Sequence, residues 1–151
     1  MQVIKNCEEL EEFVYDCFKS IIEKYRFSCL FLGPESFLLM RPTYALWIAS
    51  DYEQFDIEYL ENHKKYGYQM IGFEHIQKQR KMPIDQTFNY GPDTINNSKF
   101  YSLKVMAYDL EHYCADLLAG DKAWILRWKV DAKKLPSWLL FFVAGKLDIS
   151  D

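Results

Sequence analysis

Apolar residues near the start of the chain recur at three- and four-residue steps: Leu10, Phe13, Val14, Cys17, Phe18, Ile21, Ile22 and Tyr25. That spacing lines one face of an amphipathic helix. Asn6 is placed to cap it, and Glu9 follows three residues on, as in a capping box. Glu8, Glu9, Glu11 and Glu12 fill the first turns, and Lys24 and Arg26 the last. Both signs suit the helix dipole, so the acidic run needs no functional explanation.

The period then changes to two. Arg26 to Gly33 reads as a strand ending in the turn Gly33-Pro34, and Ser36 to Met40 as a second, stopped by Pro42. Thr43 to Ser50 reads as a third. Gln54 to Leu60 alternates: Phe55, Ile57 and Tyr59 point one way, Gln54, Asp56 and Glu58 the other. This is the pattern of a half-exposed antiparallel strand. Tyr66 to Ile76 reads as a further strand with Gly72 as a bulge, followed by the polar, basic stretch His75 to Lys81.

Residues 83 to 98 are rich in Pro, Gly, Asn and Asp and read as a loop. Loops of this length are often functional. A second long helix follows, with Phe100, Leu103, Met106, Ala107, Leu110, Cys114, Leu117 and Leu118 on its buried face. Asn97 or Ser98 is placed to cap it, and Gly120 to end it. Asp121 opens a short element of open type, and Trp138 to Gly145 is an apolar run that reads as a buried strand or the end of the core. The order of elements predicts one α+β domain over residues 1–151: a mostly antiparallel sheet packed against an N-terminal helix and a second long helix, with helices on one face. No internal repeat or linker interrupts it.

Composition sharpens this picture at three points. The chain has 151 residues, half of them apolar, and is rich in Tyr and Phe; it can bury a core without staples. Cys7, Cys17, Cys29 and Cys114 form no CxxC pair and read as reduced, mostly buried thiols. The N-terminus lacks the basic and apolar regions of a secretory signal, and the longest apolar run is far short of the ~20 residues that span a bilayer. A cytoplasmic protein with no membrane association is expected.

Motifs for chemistry are missing from the sequence. It contains no GxGxxG or GxxxxGK[ST] phosphate cradle, no HExxH and no GxSxG elbow. His63, His75 and His112 do not pair at helical spacing, and His112 and Cys114, two residues apart, diverge on a helix. No metal, cofactor or catalytic residue is therefore assigned, and the expected role is not enzymatic.

Charge provides the functional candidate. The net charge is −4, which argues against generic nucleic-acid binding and suits a basic partner. Asp51 to Glu61 holds five acids and no base, and residues 1 to 61 carry twelve acids against five bases. Acids steer an encounter and an aromatic anchors it. Asp51, Tyr52, Glu53, Asp56 and Glu58 are the candidate partner-binding residues, with the loop from Phe88 to Asp93 as a second candidate. Two alternatives stand beside this. One is a small enzyme, for which Glu74, His75 and His112 are the residues to inspect. The other is a nucleic-acid-associated regulator using Lys64, Lys65, Lys78, Arg80 and Lys81.

The segment Tyr108 to Trp124 ends a long helix in Leu117, Leu118, Gly120 and Asp121, followed by Trp124. With the length, acidity and aromatic content, it resembles small bacterial immunity proteins of polymorphic and contact-dependent growth inhibition toxin systems. The resemblance implies a cytoplasmic inhibitor that binds a cognate toxin domain. Where such a toxin is a basic nuclease, an acidic face mimics nucleic-acid phosphate.

Overall fold

The computed structural model describes residues 7–50, 54–80, 94–127 and 130–150. The protein is α+β. Helix α1 (Cys7–Tyr25) is followed by β1 (Ser28–Gly33), β2 (Ser36–Arg41), β3 (Tyr44–Ser50), β4 (Phe55–His63) and β5 (Gly67–Gly72). Then come α2 (Phe73–Gln79), α3 (Thr94–Tyr113), α4 (Ala115–Leu118), β6 (Lys133–Lys134), α5 (Ser137–Val143) and β7 (Ile149–Ser150). The sheet runs in the order β1-β2-β3-β4-β5-β6, antiparallel throughout. Among the described residues only β7 adds a parallel pairing, to Asn62 and His63 of β4.

Strand alternation divides the apolar residues between two faces. Phe37, Leu39, Leu46, Ile48, Phe55, Ile57 and Tyr59 meet the helical layer of α1 to α4. Leu10, Val14, Phe18 and Ile21 of α1 are fully buried there, as their spacing predicts, and Phe18 meets Phe37 edge-on at 6.0 Å. The alternate positions Leu38, Ala45 and Leu60 face Leu139 and Val143 of α5. Helices therefore cover both faces, not one.

Three elements depart from the sequence expectation. The strand read over Tyr66 to Ile76 ends at Gly72, which starts α2 and makes no bulge. Phe73 and Ile76 are both buried; spaced by three, they suit a helix. The run Trp138 to Gly145 is a helix, not a strand: Leu139 and Val143, four apart, are buried while Phe141 is 80% exposed. The second long helix begins by Thr94, so Asn97 and Ser98 lie within it and not at its start, and it breaks at Cys114 into α3 and α4.

Gly120 does end this helical stretch, at φ +97°. The Asp121 N–H donates to Asp116 O and the Gly120 N–H to Leu117 O, the paired bonds of a Schellman stop. Asp121 then opens a turn, its side chain accepting from the Ala123 N–H at 2.8 Å. Cys17, Cys29 and Cys114 are free; Cys114 is buried, and the other two are only half-buried. Burial pushes all three thiols up to about 11, which leaves them poor nucleophiles. Among the described residues no helix is long and apolar enough to cross a membrane.

Candidate functional site

Strand β4 is longer than its neighbour on one side. Its pairing with β5 runs only from Glu58↔Gly72 to His63↔Gly67. At Gly72 the chain leaves the sheet and enters α2. Phe55 to Ile57 are thus paired with β3 but with no strand of the described residues on their other side. A cleft of about 460 Å³ lies there, between the start of β4, α2 and α3.

The polar lining is acidic. Asp56 and Glu58 come from β4, Glu74 from α2 and Asp109 from α3, with Lys78 as the basic member. The alternation that buries Phe55, Ile57 and Tyr59 turns Asp56 and Glu58 away from the helical core, as the sequence predicts. Asp56 is exposed and accepts a bond from Gln54 Nε2 at 3.2 Å. Glu58, opposite Trp47 on one side and Gly72 on the other, is half-buried. Burial pushes its carboxyl above the usual range, Glu74 and Asp56 push the same way, and Lys133 opposes them.

Glycine at position 72 brings two of these acids together. A methyl group there would stand 3.5 Å from Glu74 Oε1 and 3.7 Å from Glu58 Oε2, so both carboxylates converge on the same point of backbone. Ser102 of α3 fastens the opposite wall, its Oγ accepting from the Phe55 N–H at 3.1 Å.

Asp109 is the member that reasoning from sequence missed. It is only 6% exposed. Burial raises its pKa, and His112 opposes. A signal existed: Ser102, Val105, Met106 and Asp109 share the helical face that lines the cleft, so an acid sits in an otherwise largely apolar stripe.

Of the five residues expected to bind a partner, Asp56 and Glu58 meet at this cleft. Asp51, Tyr52 and Glu53 lie outside the described residues, as does the loop from Phe88 to Asp93. The residues named for an enzymatic alternative are separated. Glu74 joins the cleft. His75 borders a different hollow of about 300 Å³ with Gln79 and Trp124, its Nε2 facing the Asp131 N–H at 3.4 Å. His112 is exposed and stacks on Tyr108 with ring centres 3.7 Å apart.

The basic block named for nucleic acid is also divided. Lys64 and Lys65 are exposed in the turn between β4 and β5. Arg80 is engaged in a bidentate pair with Asp116 and donates to Tyr113 O at 2.6 Å. Lys81 lies outside the described residues.

Among the described residues no three His, Cys, Asp or Glu side chains are grouped to hold a metal ion. No protein-family model matches the chain, and neither a curated protein nor a solved structure matches it.

Proposed function

We propose that this chain is a protein-binding inhibitor of the immunity type, which engages the basic surface of a cognate toxin domain through the acidic wall at the start of β4. The observation that carries this reading is the convergence of Glu58 and Glu74 on Gly72, in the cleft that Asp56 also lines, beside a strand edge that β5 has left. Like charges held together repel, and a basic partner relieves that repulsion while the charge field accelerates encounter. The resemblance of the segment from Tyr108 to Trp124 to immunity proteins points the same way.

The test is affinity capture from native lysate, followed by kinetics with the captured partner. A stoichiometric, basic toxin-like domain is expected. The double substitution Asp56→Lys with Glu58→Lys is expected to slow association about tenfold at low salt, with the difference shrinking as salt rises. A folded double variant that associates at the wild-type rate sinks the acidic-wall assignment. Failure to capture any protein while the neighbouring genes are expressed sinks the inhibitor reading.

A second reading draws on the same cleft. Glu58 and Asp109 are two carboxyls held above their ordinary range in one concavity, an arrangement that suits acid–base chemistry. An enzyme of this kind loses turnover with Glu58→Gln or Asp109→Asn while keeping its ligand affinity; an inhibitor has no turnover to lose.

A further inference from the structure

The two edges of the sheet are built differently. One ends in β6, two residues long, both of them exposed lysines. Short length and charge are what keep a sheet edge from pairing with another strand. The other edge is β1, six residues long, and no strand of the described residues pairs with its outer side. From Phe27 to Pro34 the sequence holds no charged residue. The bulge in β1 comes late, between Phe31 and Gly33, and leaves Ser28 to Phe31 in regular register. An edge of this kind turns a row of backbone N–H and C=O groups outward, in position to bond a further strand.

The side chains make this edge apolar on both faces. Leu30 and Leu32 are half-buried beside the cluster of Leu38, Leu139 and Val143. Phe31 packs on the opposite, helical face and meets Tyr15 of α1 edge-on at 6.0 Å, and Tyr15 is itself exposed. A strand laid along β1 covers these residues on both sides of the sheet.

Charge selects the occupant. Helix α1 runs back along β1: its end at Tyr25 leads into the strand, and Tyr15 lies against Phe31. Its last turn therefore stands at the start of β1, where exposed Lys24 and Arg26 outweigh Glu23. Glu11, one turn before Tyr15, lies toward the far end, where exposed Glu35 occupies the turn into β2. The edge is thus basic at its start and acidic at its end. An antiparallel copy of the same edge sets each basic end against an acidic one; a parallel copy sets like against like. The apolar residues agree, because a pivot on Leu30 sets Leu30 against Leu30 and Cys29 against Phe31 of the other copy. A self-complementary contact of this kind closes as a dimer.

We propose that the outer edge of β1 pairs with a second copy of this chain, antiparallel about Leu30, and joins the two sheets into one. The acidic wall lies three strands away on β4, so the join leaves a wall on each copy. The pairing does not depend on the inhibitor reading.

Sedimentation velocity of the intact chain over a concentration series at low ionic strength tests this, with amide hydrogen exchange to locate the join. Wild type is expected to form a species of twice the chain's mass, with exchange in β1 slowing as it forms. One variant, Lys24→Glu with Arg26→Glu, makes both ends of the edge acidic; another, Glu11→Lys with Glu35→Lys, makes both basic. All four positions are exposed or half-exposed, so the variants are expected to keep the fold. Each alone is expected to self-associate about tenfold more weakly, and an equimolar mixture to recover the wild-type association.

Recovery in the mixture upholds antiparallel self-pairing. A wild type that stays monomeric up to about 100 μM overturns it. A dimer that neither variant weakens overturns it, as does one whose β1 amides exchange as in the monomer. Protection of β1 that arises only when a captured partner is added gives the edge to that partner and overturns self-pairing too.

Discussion

Asp109 and Glu58 tie the cleft to the stability of the fold through their protons. Burial is the first cause of the raised pKa in both; Glu74 and Asp56 add to it at Glu58. A carboxyl whose pKa is higher folded than unfolded binds its proton more readily in the native state. Its contribution to stability is complete below the unfolded pKa and is lost as pH rises through the folded one. Asp109→Asn removes that loss and keeps the shape. The variant is expected to match wild type in urea unfolding near pH 3 and to exceed it at pH 7, the gap opening across the raised titration. A gap that does not change with pH would mean that Asp109 is satisfied in the native state. At this scale the sequence was half legible. Alternation placed Phe55, Ile57 and Tyr59 inward and Asp56 and Glu58 outward. The same parity puts Glu61 inward with Tyr59, but its place in an acidic run hid this; the structure buries it completely. Asp109 left only a faint trace, one acid in a largely apolar helical stripe, and such an acid looks like any solvated position until the facing strand is known.

The elements show where periodicity is informative and where it fails. Helix α1 and the first half of β4 each bury a regular stripe, β2 and β3 bury both faces, and their patterns led to the right structures. Helix α5 is WLLFFV preceded by Pro136 and Ser137; a continuous apolar run carries no period, so strand and helix are indistinguishable without the tertiary partner. The helix stops offer a sharper contrast. Gly120 ends α4 at φ +97°, and Arg26 follows α1 at φ +58°. At both, the N–H of the next residue donates back five residues, Asp121 to Asp116 and Phe27 to Ile22. Glycine adopts this left-handed geometry freely, whereas a side chain costs about 1 kcal/mol. Gly120→Ala is expected to lower stability by about that amount, the more so because its methyl would stand 3.7 Å from the Arg41 guanidinium. Arg26 is exposed, and Arg26→Gly is expected to raise stability by a similar amount. Chemical denaturation of the two single variants checks both signs; a destabilised Arg26→Gly would show that the Arg26 side chain matters more than its backbone strain.

On the scale of the whole molecule, one buried carboxylate joins the sheet to the segment that follows the long helix. Glu61 of β4 is fully buried and ion-paired to Lys122, 3.3 Å away, and to Arg127. Arg127 also donates to Gln69 of β5 at 3.0 Å, and Lys122 to Thr43 O at 2.8 Å. Ser150 of β7 donates to the same Glu61 at 3.4 Å, and Trp124 meets Tyr59 edge-on at 4.8 Å. Residues 122 to 127 are thus held to β3, β4 and β5 by polar contacts around a single acid, and β7 docks beside it. Such a cluster is worth little against an apolar replacement of equal shape, but removing one member leaves the others half-buried and unpaired. Glu61→Ala is expected to cost about 3 kcal/mol on that ground and to loosen the segment before the rest of the chain. Hydrogen exchange is the measurement that separates these effects. Faster exchange at Ile125 and Lys64, whose N–H groups donate to Lys122 O and Ser150 O, with unchanged protection in β2 and β3, marks Glu61 as the fastening of the C-terminal third. Uniform loss of protection would instead make it part of the common core, and loss of less than about 1 kcal/mol would reduce it to a surface-like pair. The cleft at the start of β4 lies at the other end of the same strand. Glu61→Ala is therefore expected to leave association with the captured partner intact wherever the variant remains folded, which separates the acid that holds the molecule together from those of the acidic wall.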